Sequence, residues 1–269
     1  MLVKQLVRKY LNFGYDYKTA QNLAAEEIIL CKIASSGLAE HVTLKGGIVM
    51  YKLTNNSRRA TQDIDFDFIR YSIDEESIKT FIGKLSSVND GIQCSLYKGV
   101  VPLNQEDYKG VRIHIMLKDP LGDALKIKLD IGVHTYSAIE QTKLLFAFSH
   151  NNNGILLKVN PPEQIFAEKI LSLGRLGSLS TRYKDIYDMH YLIVNNLLDR
   201  EKIRIIIGLF LASTKRKPNN ILDLLSTVEN ALNDNMFVKE ATKPASKWAD
   251  IDYEEIKNTI VLFVREVLL

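Results

Sequence analysis

The chain is poor in the residues that would staple it together or anchor it. Only two cysteines, Cys31 and Cys94, occur in 269 residues, far apart and without a C-x-x-C spacing. That pattern argues against a zinc ribbon or a disulfide framework and makes a reducing cytoplasm the expected compartment. No stretch approaches the roughly 18 consecutive apolar residues of a membrane span. The opening MLVKQLVRKYLNF lacks both the long apolar run and the small-residue cleavage site of a secretory signal. Secretion and membrane insertion are therefore not expected. Charge of one sign is not in excess either: 35 Lys and Arg stand against 32 Asp and Glu, a net +3 that solubility explains as well as nucleic-acid binding does. There is no internal repeat, heptad array or low-complexity segment. With 46% hydrophobic and 25% charged residues, the composition is that of an ordinary globular protein. Its length suits one large domain or two lobes of about 100 to 150 residues each.

What is present concentrates between Lys45 and Ile69, KGGIVMYKLTNNSRRATQDIDFDFI. Asp63, Asp65 and Asp67 alternate with Ile64, Phe66 and Phe68, so on a strand the three carboxylates share one face and the apolar side chains the other. Adjacent like charges destabilise a sheet unless a cation sits among them. Magnesium fits, being a hard ion that takes carboxylate and phosphate oxygens. Gly46 and Gly47 follow a strand-like His41 to Leu44 and precede a helix-like Ile48 to Leu53. A glycine turn at a helix N-terminus lets backbone N–H groups approach a phosphate while the helix dipole favours the anion.

Elsewhere the spacing predicts helices over residues 2 to 12, from Asp16 or Thr19 to about Gly37, and from Asp74 to about Val88. Strands are expected at Ile92 to Lys98, Val111 to Leu117 and Leu125 to Val133. In the last, Asp130 stands on the polar face with Lys126 and Lys128, either as a solvated strand-end residue or as a third acid of the site. Beyond a turn at Asn151 to Gly154 the pattern reads as helical to the end, which puts a boundary between a core lobe, 1–150, and a helical lobe, 151–269. Pro161-Pro162 starts a helix whose stripe of Ile165, Phe166, Ile170 and Leu173 also contains Lys169. That lysine either snorkels from the stripe's edge or turns its ammonium toward a ligand, and a neutral replacement there should be tolerated by the fold. Arg182 to Asn196 forms the next helix and carries Asp185, Asp188 and His190, the last read as a packing or surface residue. Further helices are expected near 199–214, 219–232 and 252–268, with Lys215-Arg216-Lys217 as a basic break.

The Gly-Gly turn, the helix and Arg58-Arg59-Ala60-Thr61-Gln62-Asp63-Ile64-Asp65-Phe66 together resemble the first motif of the polymerase-beta-like nucleotidyltransferases. Within that superfamily the chain is most similar to the AbiEii/AbiGii-type toxins, which include the MenT group. Glu163 to Ile170, followed by Arg182 to Asp188, carries the more family-specific half of the likeness. The resemblance covers roughly residues 41 to 195. It implies an α+β, bilobed protein whose helical lobe completes the active site of the sheet-containing one. It also implies NMP transfer from an NTP to an acceptor, with the 3′ end of tRNA first in expectation and a co-encoded antitoxin as a possible partner. A protein or small-molecule acceptor such as an antibiotic, and a non-catalytic nucleotide-binding module, are the alternatives.

On that reading Asp63, Asp65 and Asp130 hold Mg2+ or Mn2+, two ions clamping the attacking and leaving oxygens. Lys45, Gly46, Gly47, Arg58, Thr61 and Lys169 bind the nucleotide, with Arg58 or Arg59 neutralising charge on the departing pyrophosphate. Asp185 either orients Lys169 or positions the acceptor. Asp67 is left out of the metal's ligands. Lys126, Lys128, Arg175, Arg182, Lys184 and the Lys215 triplet are the candidates for an RNA-tracking surface.

Overall fold

The computed structural model describes residues 2–61, 63–105, 108–148, 154–213 and 218–269. Gln62 of the quoted motif, the turn at residues 151–153 and the basic triplet at 215–217 lie outside the described residues. The chain forms two compact units, Met1–Asn160 and Pro161–Leu269.

The first unit is a mixed sheet flanked by helices. It begins with α1 (Val3–Asn12) and α2 (Tyr17–Ser35), the latter capped by Asp16, whose carboxylate accepts from the Thr19 backbone N–H. Strand β1 (Val42–Lys45) runs directly into α3 (Gly46–Thr54). A 3-10 turn at Ser57–Arg59 then leads to β2 (Asp63–Phe68), and Asp74 caps α4 (Glu75–Ser86). Next come β3 (Gln93–Leu96), β4 (Val101–Gln105), β5 (Tyr108–Lys118), β6 (Ala124–Val133), β7 (Thr142–Phe146) and β8 (Ile155–Val159). The strand order is β3-β5-β6-β2-β1-β8-β7, with β4 also paired to β5.

Two parallel pairings, β2 with β6 and β1 with β8, place the acidic strand at the centre of this sheet. Its apolar residues Ile64, Phe66 and Phe68 are buried, and Phe81 of α4 lies 5.6 Å from the Phe66 ring and 5.2 Å from the Phe68 ring. Alternation thus does what period two requires: one face of β2 is core and the other carries the three carboxylates. The α4 stripe of Ile78, Phe81, Ile82 and Leu85 is buried as its spacing predicts.

The described residues that follow the expected boundary are not helical at first. Ile155–Val159 is a strand that pairs with β1 and β7, so the first unit runs through Asn160. An apolar pentapeptide is too short for periodicity to separate strand from helix. Strand β7 is as short, and in β4 Pro102 argues against a strand from sequence.

The second unit is helical: α5 (Pro162–Leu176), α6 (Lys184–Val194), α7 (Arg200–Ser213), α8 (Ile221–Asn233), α9 (Asn235–Ala241) and α10 (Tyr253–Leu268). Its core includes Ile165, Phe166, Ile170, Ile186, Met189, Leu224, Ile256 and Ile260. Phe166 meets Phe263 edge-on at 5.4 Å.

Candidate active site

In the first unit the site is built where β1 ends. Lys45 is the N-cap of α3, and its side chain makes no capping hydrogen bond to that helix. Gly46 has φ +62, and a Cβ there would stand 2.8 Å from Asp65 Oδ2. At Gly47 a Cβ would meet Thr61 Oγ1 at 2.9 Å and Arg59 Nη1 at 3.3 Å. The glycine pair is therefore required by close approach at both positions and by backbone sign at the first. It brings Asp65, Thr61 and Arg59 against a helix N-terminus.

The sheet register brings the acids together. Asp65 is opposite Asp130 on β6 and opposite Lys45 on β1, while Asp63 is opposite Lys128. Continuing outward, Asp130 is opposite Arg112 and Lys128 is opposite His114 on β5. One face of the sheet thus carries Lys45, Asp65, Asp130 and Arg112 in one cross-strand rank and Asp63, Lys128 and His114 in the next.

The charges on this face are compensated from within the chain. Arg112 donates two hydrogen bonds to Asp130, Nε to Oδ1 at 2.7 Å and Nη2 to Oδ2 at 2.6 Å. Those bonds to Asp130 raise the guanidinium's pKa, and Asp130's charge and the charges of Asp63 and Asp65 reinforce them. Lys45 Nζ donates to Asp67 Oδ1 at 2.7 Å, and Asp67 is buried. Asp67 is thereby accounted for: it is neutralised by the lysine that closes β1.

Lys128 Nζ lies 2.7 Å from Asp63 Oδ1, yet that oxygen is shut off from solvent and receives no hydrogen bond. The contact is therefore charge attraction without donor geometry, and it leaves a buried carboxylate oxygen with unused acceptor capacity. That is the observation on which a metal's fit can be judged. Two carboxylates two residues apart, one with a buried oxygen that receives no hydrogen bond, beside the glycine turn that opens α3, make a donor set that suits a hard divalent cation. Among the described residues no group of three acids, histidines or cysteines is gathered closely enough to ligate one. Asp130 is beside Asp65 in register, but Arg112 holds both of its oxygens.

Two residues that the sequence did not single out, Glu26 and Arg112, join this site. Glu26 of α2 is buried with Oε1 unpartnered, and burial first, then the charge of Asp63, pushes its carboxyl well above the ordinary 4.5. Arg59, not Arg58, is the buried arginine against Gly47; Arg58 is exposed and its backbone N–H bonds to Asn56 Oδ1. Signals existed for both Glu26 and Arg112. Glu26 interrupts the apolar run of α2, and Arg112 alternates with Val111 and Ile113 in β5.

In the second unit Lys169 is buried. Its ammonium bonds to Asp185 Oδ1 and lies 2.9 Å from Asp188 Oδ2, and the Asp188 side chain is fully buried. The lysine in the apolar stripe thus has its reason, a clamp between two carboxylates one helical turn apart on α6. Asp185, read either as orienting Lys169 or as positioning the acceptor, bonds to that lysine, and Asp188, expected to pair with a nearby Arg or Lys, pairs with the same one. A neutral residue at 169 would strand both acids, contrary to the expectation that the fold tolerates it. Ser172, Ser180 and Arg182 line a small hollow with Lys169 and Asp185. His190 is buried, 3.6 Å from Glu255, and burial lowers its pKa.

Residues 28–265 match the family described as the nucleotidyl transferase AbiEii toxin of type IV toxin–antitoxin systems. The chain belongs to that family. It is a nucleotidyltransferase, and an NTP substrate and an antitoxin come with the family. None of the curated proteins matches this AbiEii-family chain. Among solved structures it is similar to an antigenic nucleotidyltransferase-like protein from Paracoccidioides brasiliensis, at 19% identity and a TM-score of 0.39, over 76% of this chain and 93% of that one. No helix among the described residues is long and apolar enough to cross a membrane.

Proposed function

We propose that this AbiEii-family protein transfers a nucleoside monophosphate from an NTP to the 3′ end of tRNA in a divalent-metal-dependent reaction, and that this transfer is its toxic activity. The observation that carries the reading is the seating of Asp65 against Gly46 at the start of α3, with Asp63 one alternation away. An anion-binding turn and a cation-binding carboxylate pair are thereby built from one continuous segment. Asp63 and Asp65 would hold Mg2+ or Mn2+, and Asp130 would join them once Arg112 yields its oxygens. A metal held there would supply Lewis-acid stabilisation of developing negative charge.

The rest of the chemistry falls to the chain. The N–H groups at Gly46 and Gly47 bind the triphosphate, and Thr61 and Arg59 shape the wall beside them. The acceptor hydroxyl attacks the α-phosphorus, the bond to the bridging oxygen breaks, and pyrophosphate leaves. Arg59 would offset its charge, a reading that its proximity to Gly47 supports over Arg58. Lys169 of the second unit, paired with Asp185 and Asp188, is the candidate that the family resemblance adds for the nucleotide's phosphates.

The test is to incubate wild type and Asp63→Asn with each labelled NTP, Mg2+ and total RNA or total protein. Label on small RNA with wild type, lost with Asp63→Asn, is expected. Label on protein, or on a small molecule by product mass, would replace the tRNA reading with one of its alternatives. Growth inhibition that persists in Asp63→Asn would detach toxicity from transfer.

A further inference from the structure

The polar face of the sheet continues past the acids, and its far side is basic and aromatic. Tyr97 follows β3, and its backbone N–H bonds to the carbonyl of His114 at 3.1 Å, so it extends the rank of His114, Lys128 and Asp63 by one more position. The Tyr97 ring packs edge-on against the His114 ring at 5.6 Å. Lys126 Nζ lies 5.0 Å and Lys98 Nζ 5.8 Å from its centroid. Both lysines are exposed and Tyr97 is half-buried. Among the described residues neither Lys98 nor Lys126 has a carboxylate partner.

A cation over a tyrosine is common on protein surfaces and worth little there. Two ammoniums around one ring, in line with a carboxylate of the active site, are harder to dismiss. The positive field is concentrated: burial first, then Lys98, Arg112 and Lys128 in turn, lower the pKa of His114. At about 4.8 Å per strand, three strand steps put Tyr97 roughly 14 Å from Asp63, a span of a few nucleotides.

We infer that the strip formed by Tyr97, Lys98, His114 and Lys126 is the surface on which the single-stranded 3′ end of the RNA acceptor lies, a base stacking on Tyr97 while the lysines take its phosphates. The inference rests on the proposed RNA acceptor. Positive charge interleaved with an aromatic platform is the pattern that binds single strands without reading their sequence. Its alignment with Asp63 delivers the terminal hydroxyl toward the acids. Duplex RNA offers no free base face for Tyr97, so the strip favours single strands.

The test uses the full chain and a short fluorescent single-stranded RNA with a free 3′ hydroxyl, read by anisotropy across a salt series. Tyr97→Leu should weaken binding roughly 5- to 150-fold, while Tyr97→Phe keeps it. The double variant Lys98→Gln/Lys126→Gln should reduce the salt slope by about 1.4, or ~0.7 for each cation removed. NTP binding and melting temperature should stay at wild-type values in all three. Unchanged RNA affinity and salt slope in these variants, with wild type still binding and labelling RNA, would overturn the strip and leave the RNA acceptor standing. Wild type that binds no RNA and labels only protein would overturn both.

Discussion

Replacing Gly46 by alanine tests the centre of the site with a single methyl. At φ +62 an alanine must adopt the left-handed region, which costs about 1–2 kcal/mol. The methyl then lies 2.8 Å from Asp65 Oδ2, closer than real Cβ contacts come, and Asp65 must leave its rotamer for about 0.5–1.5 kcal/mol more. The total is a destabilisation of roughly 1.5–3.5 kcal/mol. The catalytic effect should be larger in proportion, because a misplacement of about 1 Å in a reacting group costs on the order of 100-fold in rate. Urea denaturation and a transfer assay on the same preparation measure both. Gly208 of α7 is the control: a Cβ added there would meet nothing within 4 Å, and its φ is not positive. Gly208→Ala should therefore gain up to about 1 kcal/mol with transfer untouched. A Gly46→Ala protein as stable and as active as wild type would refute both the strain and the contact with Asp65.

Other variants probe the charges around this centre. Lys169→Met leaves Asp185 and Asp188 without their cation, so stability should fall by about 3 kcal/mol or more, and adding Asp188→Asn should restore part of it; an unchanged melting temperature would contradict the clamp. Arg112→Gln releases both oxygens of Asp130, so Mn2+ binding followed by calorimetry should tighten, at a stability cost of about 1–3 kcal/mol for a part-buried, bidentate pair; unchanged affinity would place Asp130 outside the metal's ligands. Glu26 keeps its proton in the folded state above the ordinary 4.5. Both states are protonated below that value, and as pH rises the unfolded chain ionises first, so folding loses stability until the folded pKa is passed. Glu26→Gln removes this loss and should gain on wild type as pH rises above 4.5, as read by urea midpoints; a difference that does not change with pH would contradict the assignment.

Much of this arrangement is legible in the sequence, and what is not has a physical reason. The alternation of Asp63 to Phe68, the Gly46-Gly47 turn and the caps Asp16 and Asp74 are local signals, and each is found where its pattern predicts. What pairs with what is not local. That Arg112 takes both oxygens of Asp130 depends on the register of β5 with β6, and that Lys45 neutralises Asp67 depends on β1 with β2. Lys169 illustrates the limit: its place in an apolar stripe is evident from spacing, but the two acids that hold it there sit on a different helix. Periodicity also fails on short apolar runs, which is why β8 reads as the approach to a helix.

The claim on which everything else depends is nucleotidyl transfer itself, and the position of the label decides it. Parallel reactions with the same NTP labelled at the α- or the γ-phosphate, with wild type and Asp65→Asn, would follow acceptor and released phosphate together. The account predicts α-label on the acceptor, γ-label only in pyrophosphate released one for one, and neither with Asp65→Asn. Transfer of the γ-label to the acceptor, or α-label transfer undiminished in Asp65→Asn, would contradict it.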